Sequence, residues 1–205
     1  MNYWDTQANR WGVFSVPDED YSTYTRRQAV FIVEQLAIDV KQLRVEKGIV
    51  RDVGCGIGRL TFEVAHEAPY LYVVGVDPSH TMIEVARGRL AENTYLDHRL
   101  DFAKTSDGKG LSGGYDGAWC VLVFQHLIEA PIREILRDVA DTLQPGARFV
   151  SQWMLDKDQA FPREADVLRV LMDEGFENVR LHGDADVTRL WFADNWLWVT
   201  SERTP

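Results

Sequence analysis

The stretch from Val50 to Leu60 constrains this chain most. A short strand, Ile49 to Val53, leads straight into Gly54-Cys55-Gly56-Ile57-Gly58. A helical pattern (Leu60, Val64, Ala68) begins at once and is ended by Pro69. Glycines at alternate positions let the backbone turn sharply and approach a ligand with no Cβ in the way. The helix that follows presents N–H groups without partners, which suit an anionic or polar ligand.

The rest of the chain keeps the same alternation. Upstream, Ala29, Ile32, Val33, Leu36, Val40 and Leu43 recur every three or four residues, which predicts one amphipathic helix stopped by Gly48. Downstream, Tyr70 to Val76 reads as a strand buried on both faces. Ser79 then caps a helix carrying Met82, Ile83, Ala86 and Leu90. A weaker strand lies near Leu100 to Ala103 and a strong one at Tyr115 to Val123. Pro131 opens a helix closed by Pro145-Gly146; Phe149 to Leu155 reads as a strand, and Val167 to Met172 as a helix ended by Gly175. This β-α-β-α order predicts a doubly wound, mostly parallel α/β sheet with helices on both faces. Between the strands near Val179 and Trp196 there is no room for a crossover helix of about a dozen residues, so the terminal strand returns antiparallel.

Composition narrows the function. No repeat or Pro/Gly/Ser linker divides the 205 residues, which reads as a single domain over 1–205. Its parts would be an N-terminal lid and helix (1–47), a ligand-binding core (48–155), and a helix with a terminal β-hairpin (156–205). The formal charge of −10 argues against bulk nucleic-acid binding, where phosphate attraction supplies most of the affinity. No apolar run approaches the roughly 18 residues of a membrane span, and the N-terminus lacks the basic start and apolar core of a secretory signal. Cys55 and Cys120 form no C-x-x-C pair, and the five histidines show no metal-ligand spacing. The expectation is a cytoplasmic protein with neither a disulfide framework nor a metal site. Composition leaves the oligomeric state open.

Asp77 closes the second strand 21 residues after Gly56, where an acid can accept both hydroxyls of a ribose. Arg59 occupies the position where a dinucleotide fingerprint wants Gly or Ala, which disfavours NAD and FAD. At this point the chain resembles the class I S-adenosylmethionine-dependent methyltransferases. Asp52-Val53-Gly54-Cys55-Gly56-Ile57-Gly58-Arg59-Leu60-Thr61 is similar to their first motif, and Gly75-Val76-Asp77-Pro78-Ser79-His80-Thr81-Met82 to the second. Ser106-Asp107-Gly108 with Leu111 resembles the segment after the third strand, and Val123-Phe124-Gln125-His126-Leu127 the motif after the fourth. Leu143-Gln144-Pro145-Gly146-Ala147 resembles the turn before the fifth, with Ala147 where the family usually has a second Gly. The likeness is greatest to the compact branch that methylates small molecules.

The resemblance implies a Rossmann-like, seven-stranded sheet and S-adenosylmethionine as the methyl donor. Carried over, Gly54, Gly56 and Gly58 admit its methionine and ribose parts, Asp52 lies near the amino group, and Arg59 reaches the carboxylate. Asp77 holds the ribose hydroxyls, while Pro78 and Met82 pack on the adenine. Asp107 accepts from the adenine amino group, Gly108 meets a ring nitrogen, and Val123 sits by the methionyl end. The aromatics of the N-terminal region (Trp11, Tyr21, Tyr24) stand where the family builds its lid over a methyl acceptor. This lid is short, which predicts a rather open substrate side.

His126 is the one candidate for chemistry beyond positioning. It follows the fourth strand at the carboxyl edge, and an unperturbed imidazole titrates near pH 6.5. Its simpler role is to cap the next helix. Met82 equally suits a helical core position, and Cys55 and Cys120 suit small buried apolar sites. The Trp191, Trp196, Trp198 alternation reads as a half-buried strand, Lys41 and Arg44 as a solvated face, and His66 and His182 carry no functional signal. Three functions stay open: methyl transfer to an O, N or C nucleophile of a small molecule, methyl transfer to protein or RNA with a partner subunit, and a cofactor-binding module without catalysis.

Overall fold

The computed structural model describes residues 18–43, 46–105, 113–155, 162–184, 187 and 196–205; of residues 18–21, 42 and 43 the backbone alone is described. The chain enters through α1 (Asp18–Leu36) and a single turn, α2 (Val40–Leu43). The helix expected to run on to Gly48 is therefore two, and the first begins earlier, in a stretch where the sequence shows no clean period. The break has a local cause. Ala37 takes a left-handed conformation (φ 48°), and the chain bends so that Leu36 and Ile38 pack over Gly48 and Gly117, whose missing side chains leave the room.

The alternating pattern is then realised in order: β1 (Gly48–Val53), α3 (Arg59–Glu67), β2 (Leu71–Asp77), α4 (His80–Glu92), β3 (Leu100–Lys104), β4 (Tyr115–Cys120), α5 (Glu129–Thr142), β5 (Leu143–Met154), α6 (Glu164–Asp173), β6 (Phe176–Gly183) and β7 (Trp196–Arg203). One seven-stranded sheet results, in the order β3-β2-β1-β4-β5-β7-β6. β1 to β5 run parallel, and β7 is antiparallel to both β5 and β6, inserted between them. The strand order reverses between β1 and β4, the point where sheets of this kind leave a crevice at their carboxyl ends.

Two details differ from the sequence reading. β4 stops at Cys120, short of Val123, because Leu122 turns left-handed (φ 61°) into a 3₁₀ turn over Phe124–His126. The Pro145-Gly146 turn is a bulge inside the pairing of β4 with β5, where Tyr115 faces Leu143 and Gly117 already faces Arg148.

The sheet carries a core on each face. Under α1, α3 and α4 lie Val50, Trp119, Val150 and Trp198 with Ile32, Val64 and Ile83. Under α5 and α6 lie Ala118, Phe149 and Trp153 with Ile132, Leu136 and Val167. Trp198 is fully buried and its Nε1 donates to Asp184 Oδ1 at 2.8 Å, so this tail tryptophan is core; Trp191 lies outside the described residues. Both cysteines are buried and unpaired. No described helix is long and apolar enough to cross a membrane.

Candidate cofactor site

All three glycines after β1 are left-handed, with φ of 72°, 56° and 81° at Gly54, Gly56 and Gly58. Their surroundings separate their roles. A Cβ on Gly54 would strike Val123, and one on Gly58 would meet Phe102 at 2.8 Å and Phe62 at 3.0 Å. Only Gly56 faces open space, with the Met82 sulfur 4.0 Å from where its Cβ would lie. Two glycines are thus needed for packing, and the middle one leaves room for a ligand to approach the backbone. Val123 and Met82 are walls of the same loop. Met82 is also a buried helix residue, so its two readings coincide.

The loop is fastened to the end of β2. Gly54 and Cys55 N–H groups both donate to the Val76 carbonyl, at 2.8 and 3.0 Å. Asp77 is the second fastening: its Oδ2 accepts from Gly56 N–H at 3.0 Å and its Oδ1 from Ser79 N–H at 2.8 Å. Ser79 caps α4 as expected, its hydroxyl accepting from Met82 N–H at 3.2 Å. A carboxylate has about four acceptor positions, and Asp77 gives two of them to these backbone donors. Pro78 is exposed beside it.

Asp52 is buried at the end of β1 and accepts from the Thr61 hydroxyl at 2.6 Å. Burial pushes its carboxyl up to about 7, against the opposing pull of Thr61 and the Arg59 guanidinium. Arg59 donates to Thr25 Oγ1 at 2.9 Å and Gln28 Oε1 at 2.8 Å, so it ties α3 to α1. Sequence reasoning aims Arg59 at a ligand carboxylate; the bonds described here are to α1.

Tyr24 is partly buried on α1, its phenol held above the usual range by burial and then by Asp184. His126 is exposed at the end of the 3₁₀ turn, its Nε2 3.1 Å from Gln125 Nε2, and partial desolvation lowers its pKa below 6.5. The structure thus gathers Asp52, Gly54, Gly56, Gly58, Asp77, Met82 and Val123 at the carboxyl edge of the switch point. Asp107, Gly108 and Trp11 lie outside the described residues, as does the Tyr21 side chain. Among the described residues no group of three or more His, Cys, Asp or Glu side chains gathers to hold a metal. Sequence reasoning assigns no role to Thr61, Gln28 or Gln152. Thr61 stands inside the first motif, whereas the two glutamines gave no signal.

Comparisons with known proteins concern the domain in which this site lies. Residues 51–149 match the family model described as a methyltransferase domain. A demethylmenaquinone methyltransferase of Symbiobacterium thermophilum is 33% identical over 103 residues, 49% of this chain and 40% of that protein. The chain thus spans about two-fifths of the length of the curated relative it matches. Among solved structures, magnesium protoporphyrin IX methyltransferase from Synechocystis PCC 6803 with bound S-adenosylmethionine superposes with a TM-score of 0.70 at 21% identity, covering 98% of this chain and 91% of that one. The cyclase SpnF superposes at 0.66 and 17% identity, covering 87% and 80%. At these identities the structural likeness shows the fold alone. Over residues 51–149 the chain is therefore similar to a methyltransferase domain, and its fold is the Rossmann-like one of the methyltransferase structure it superposes on.

Proposed function

We propose that the chain binds S-adenosylmethionine across the glycine loop and Asp77 and transfers its methyl group to a nucleophile on a small molecule. The observation that carries this reading is the convergence of three left-handed glycines and Asp77 at the sheet's switch point, inside the stretch that matches the methyltransferase domain. The residues fit such a ligand. Gly56 leaves the backbone open, Asp77 stands at the strand end where an acid meets ribose hydroxyls, and Asp52 can receive the amino group. Met82 and Pro78 offer apolar surface to the adenine, with Asp107 and Gly108 at its ring edge and Val123 at the methionyl end; Arg59 is proposed for the carboxylate. Bound there, the donor supplies an electrophilic methyl on a cationic sulfur.

The chain's own task is then mainly alignment, which can supply about 7–11 kcal/mol of the barrier. The aromatic side chains of Tyr24, Tyr21 and Trp11 suit a cationic sulfonium through their ring faces. His126, its imidazole held below the ordinary value by desolvation, is proposed to take the acceptor's proton as the new bond forms. Methyl transfer to protein or RNA is the alternative, with the −10 charge counting against RNA. A module without methyl transfer is the third reading, and the likeness to a cyclase keeps it in view. Tritiated methyl from S-adenosylmethionine, incubated with the protein and a fractionated lysate, is expected to appear in the low-mass fraction. Label in RNA or protein would replace this reading with the second, and no label anywhere with the third.

A further inference from the structure

We propose that Gln152 and Gln28 recognise a neutral polar group of the methyl acceptor that offers a hydrogen-bond acceptor and donor side by side, such as a hydroxy-carbonyl or a carboxamide. This rests on reading the chain as a small-molecule methyltransferase.

The placement comes from register. Gln152 stands near the carboxyl end of β5, opposite Trp198 of β7, while one row back Asp52 of β1 faces Trp119 of β4 and Trp119 faces Val150 of β5. Trp119, Val150 and Trp198 share the core that α1 covers, so these side chains lie on one face of the sheet. Gln152 is across the switch point from the glycine loop, on the half left for an acceptor.

The chemistry comes from missing partners. Gln152 and Gln28 are both fully buried. Neither amide atom of Gln152 completes a hydrogen bond of good geometry, although the amide adjoins the Tyr24 phenol. Gln28 Oε1 receives Arg59, but its Nε2 has no partner; Trp119 Nε1 is turned to the Asp52 carboxylate. These unsatisfied amide atoms, on α1 and on the strand that α1 packs against, are a cost that folding alone does not explain. They are the amide N–H donors of both glutamines and the carbonyl acceptor of Gln152. Asp52 adjoins Trp119 and Asp184 lies near Tyr24, with Arg59 the cation that acts on both Asp52 and Tyr24 among the described residues, which disfavours an anionic guest. A neutral group with both hydrogen-bonding functions matches the Gln152 amide. Tyr24 and Gln28 sit one turn apart on α1, so that helix covers the Gln152 amide.

The test uses Gln152→Leu and Gln152→Met, with Gln28→Leu as the second position and salicylamide as the probe. Calorimetry of the protein saturated with S-adenosylhomocysteine should show salicylamide binding that weakens at least tenfold in each variant, with toluene binding unchanged. Ligand-free, both Gln152 variants should melt at or above the wild-type temperature, because an unpartnered amide has been removed. Absence of salicylamide binding, equal affinity in wild type and variants, or a lower melting temperature in both Gln152 variants would mean that buried water alone satisfies the amides. Failure of the wild type to bind S-adenosylhomocysteine would instead overturn the methyltransferase reading, and the melting comparison would still decide whether the amide is structural.

Discussion

Asp52 and His126 are site residues whose protonation the fold moves in opposite directions from one cause. Burial disfavours charge, which raises the Asp52 carboxyl from 3.8 to about 7 and lowers the His126 imidazole below 6.5. For Asp52 the folded state holds its proton more tightly than the unfolded chain. Its contribution to stability is therefore complete below about pH 4 and is lost as pH rises through about 7. Melting temperature should fall between pH 5 and 7.5 by more in the wild type than in Asp52→Asn; parallel profiles would mean that Asp52 does not titrate there. His126 carries the opposite consequence. As a base it is ready at neutrality, and His126→Ala should cut turnover about 10²–10⁴-fold, abolish the acid limb of the rate profile and leave S-adenosylhomocysteine affinity unchanged. Near-normal turnover with the same pH profile would leave catalysis to alignment alone. At this scale the sequence was partly legible. Gly56 and Asp77 announce themselves because a left-handed turn and a strand-end acid are local requirements. The partners of Arg59, 31 and 34 residues away on α1, depend on how two helices pack, and no local pattern encodes that.

Among the elements, the strand-turn-helix unit divides its labour between glycines that look equivalent in sequence. Gly58 must be left-handed and also has Phe102 and Phe62 against it, whereas Gly56 must only be left-handed. Gly58→Ala should therefore lose about 2–5 kcal/mol of stability, from backbone strain plus overpacking. Gly56→Ala should lose only the strain, about 1–2 kcal/mol, yet weaken cofactor binding more than its stability loss explains. Urea denaturation and calorimetry of the two variants check this, and equal stability losses would contradict it. The same local energetics explain the one helix misread from sequence. An apolar period continues through Leu36, Val40 and Leu43, but the room above Gly48 and Gly117 draws Ile38 inward and breaks the helix at Ala37. Periodicity records which residues are apolar, not where a distant pair of glycines leaves space.

Across the whole molecule, the alternation of apolar strands with amphipathic helices was enough to foresee a doubly wound sheet, since parallel strands need crossovers and crossovers need length. The short connection before Trp196 likewise required an antiparallel finish. That β7 would insert between β5 and β6 was not legible, because either edge of β5 satisfies the length argument; burial of Trp198 against Asp184 and the α1 core is what favours the inner position. The sheet so ordered puts the glycine loop and Asp77 on one side of the switch point and Gln152 on the other, which is the central claim: a donor on one half, an acceptor on the other. Calorimetry with S-adenosylhomocysteine tests its first half most directly. One site per chain is expected, weakened at least tenfold in a folded Asp77→Ala variant as charge-assisted bonds of about 1.5–3 kcal/mol each are lost, and no binding of NADH. Tight NADH binding without any for S-adenosylhomocysteine, or an Asp77→Ala variant with wild-type affinity, would contradict the account.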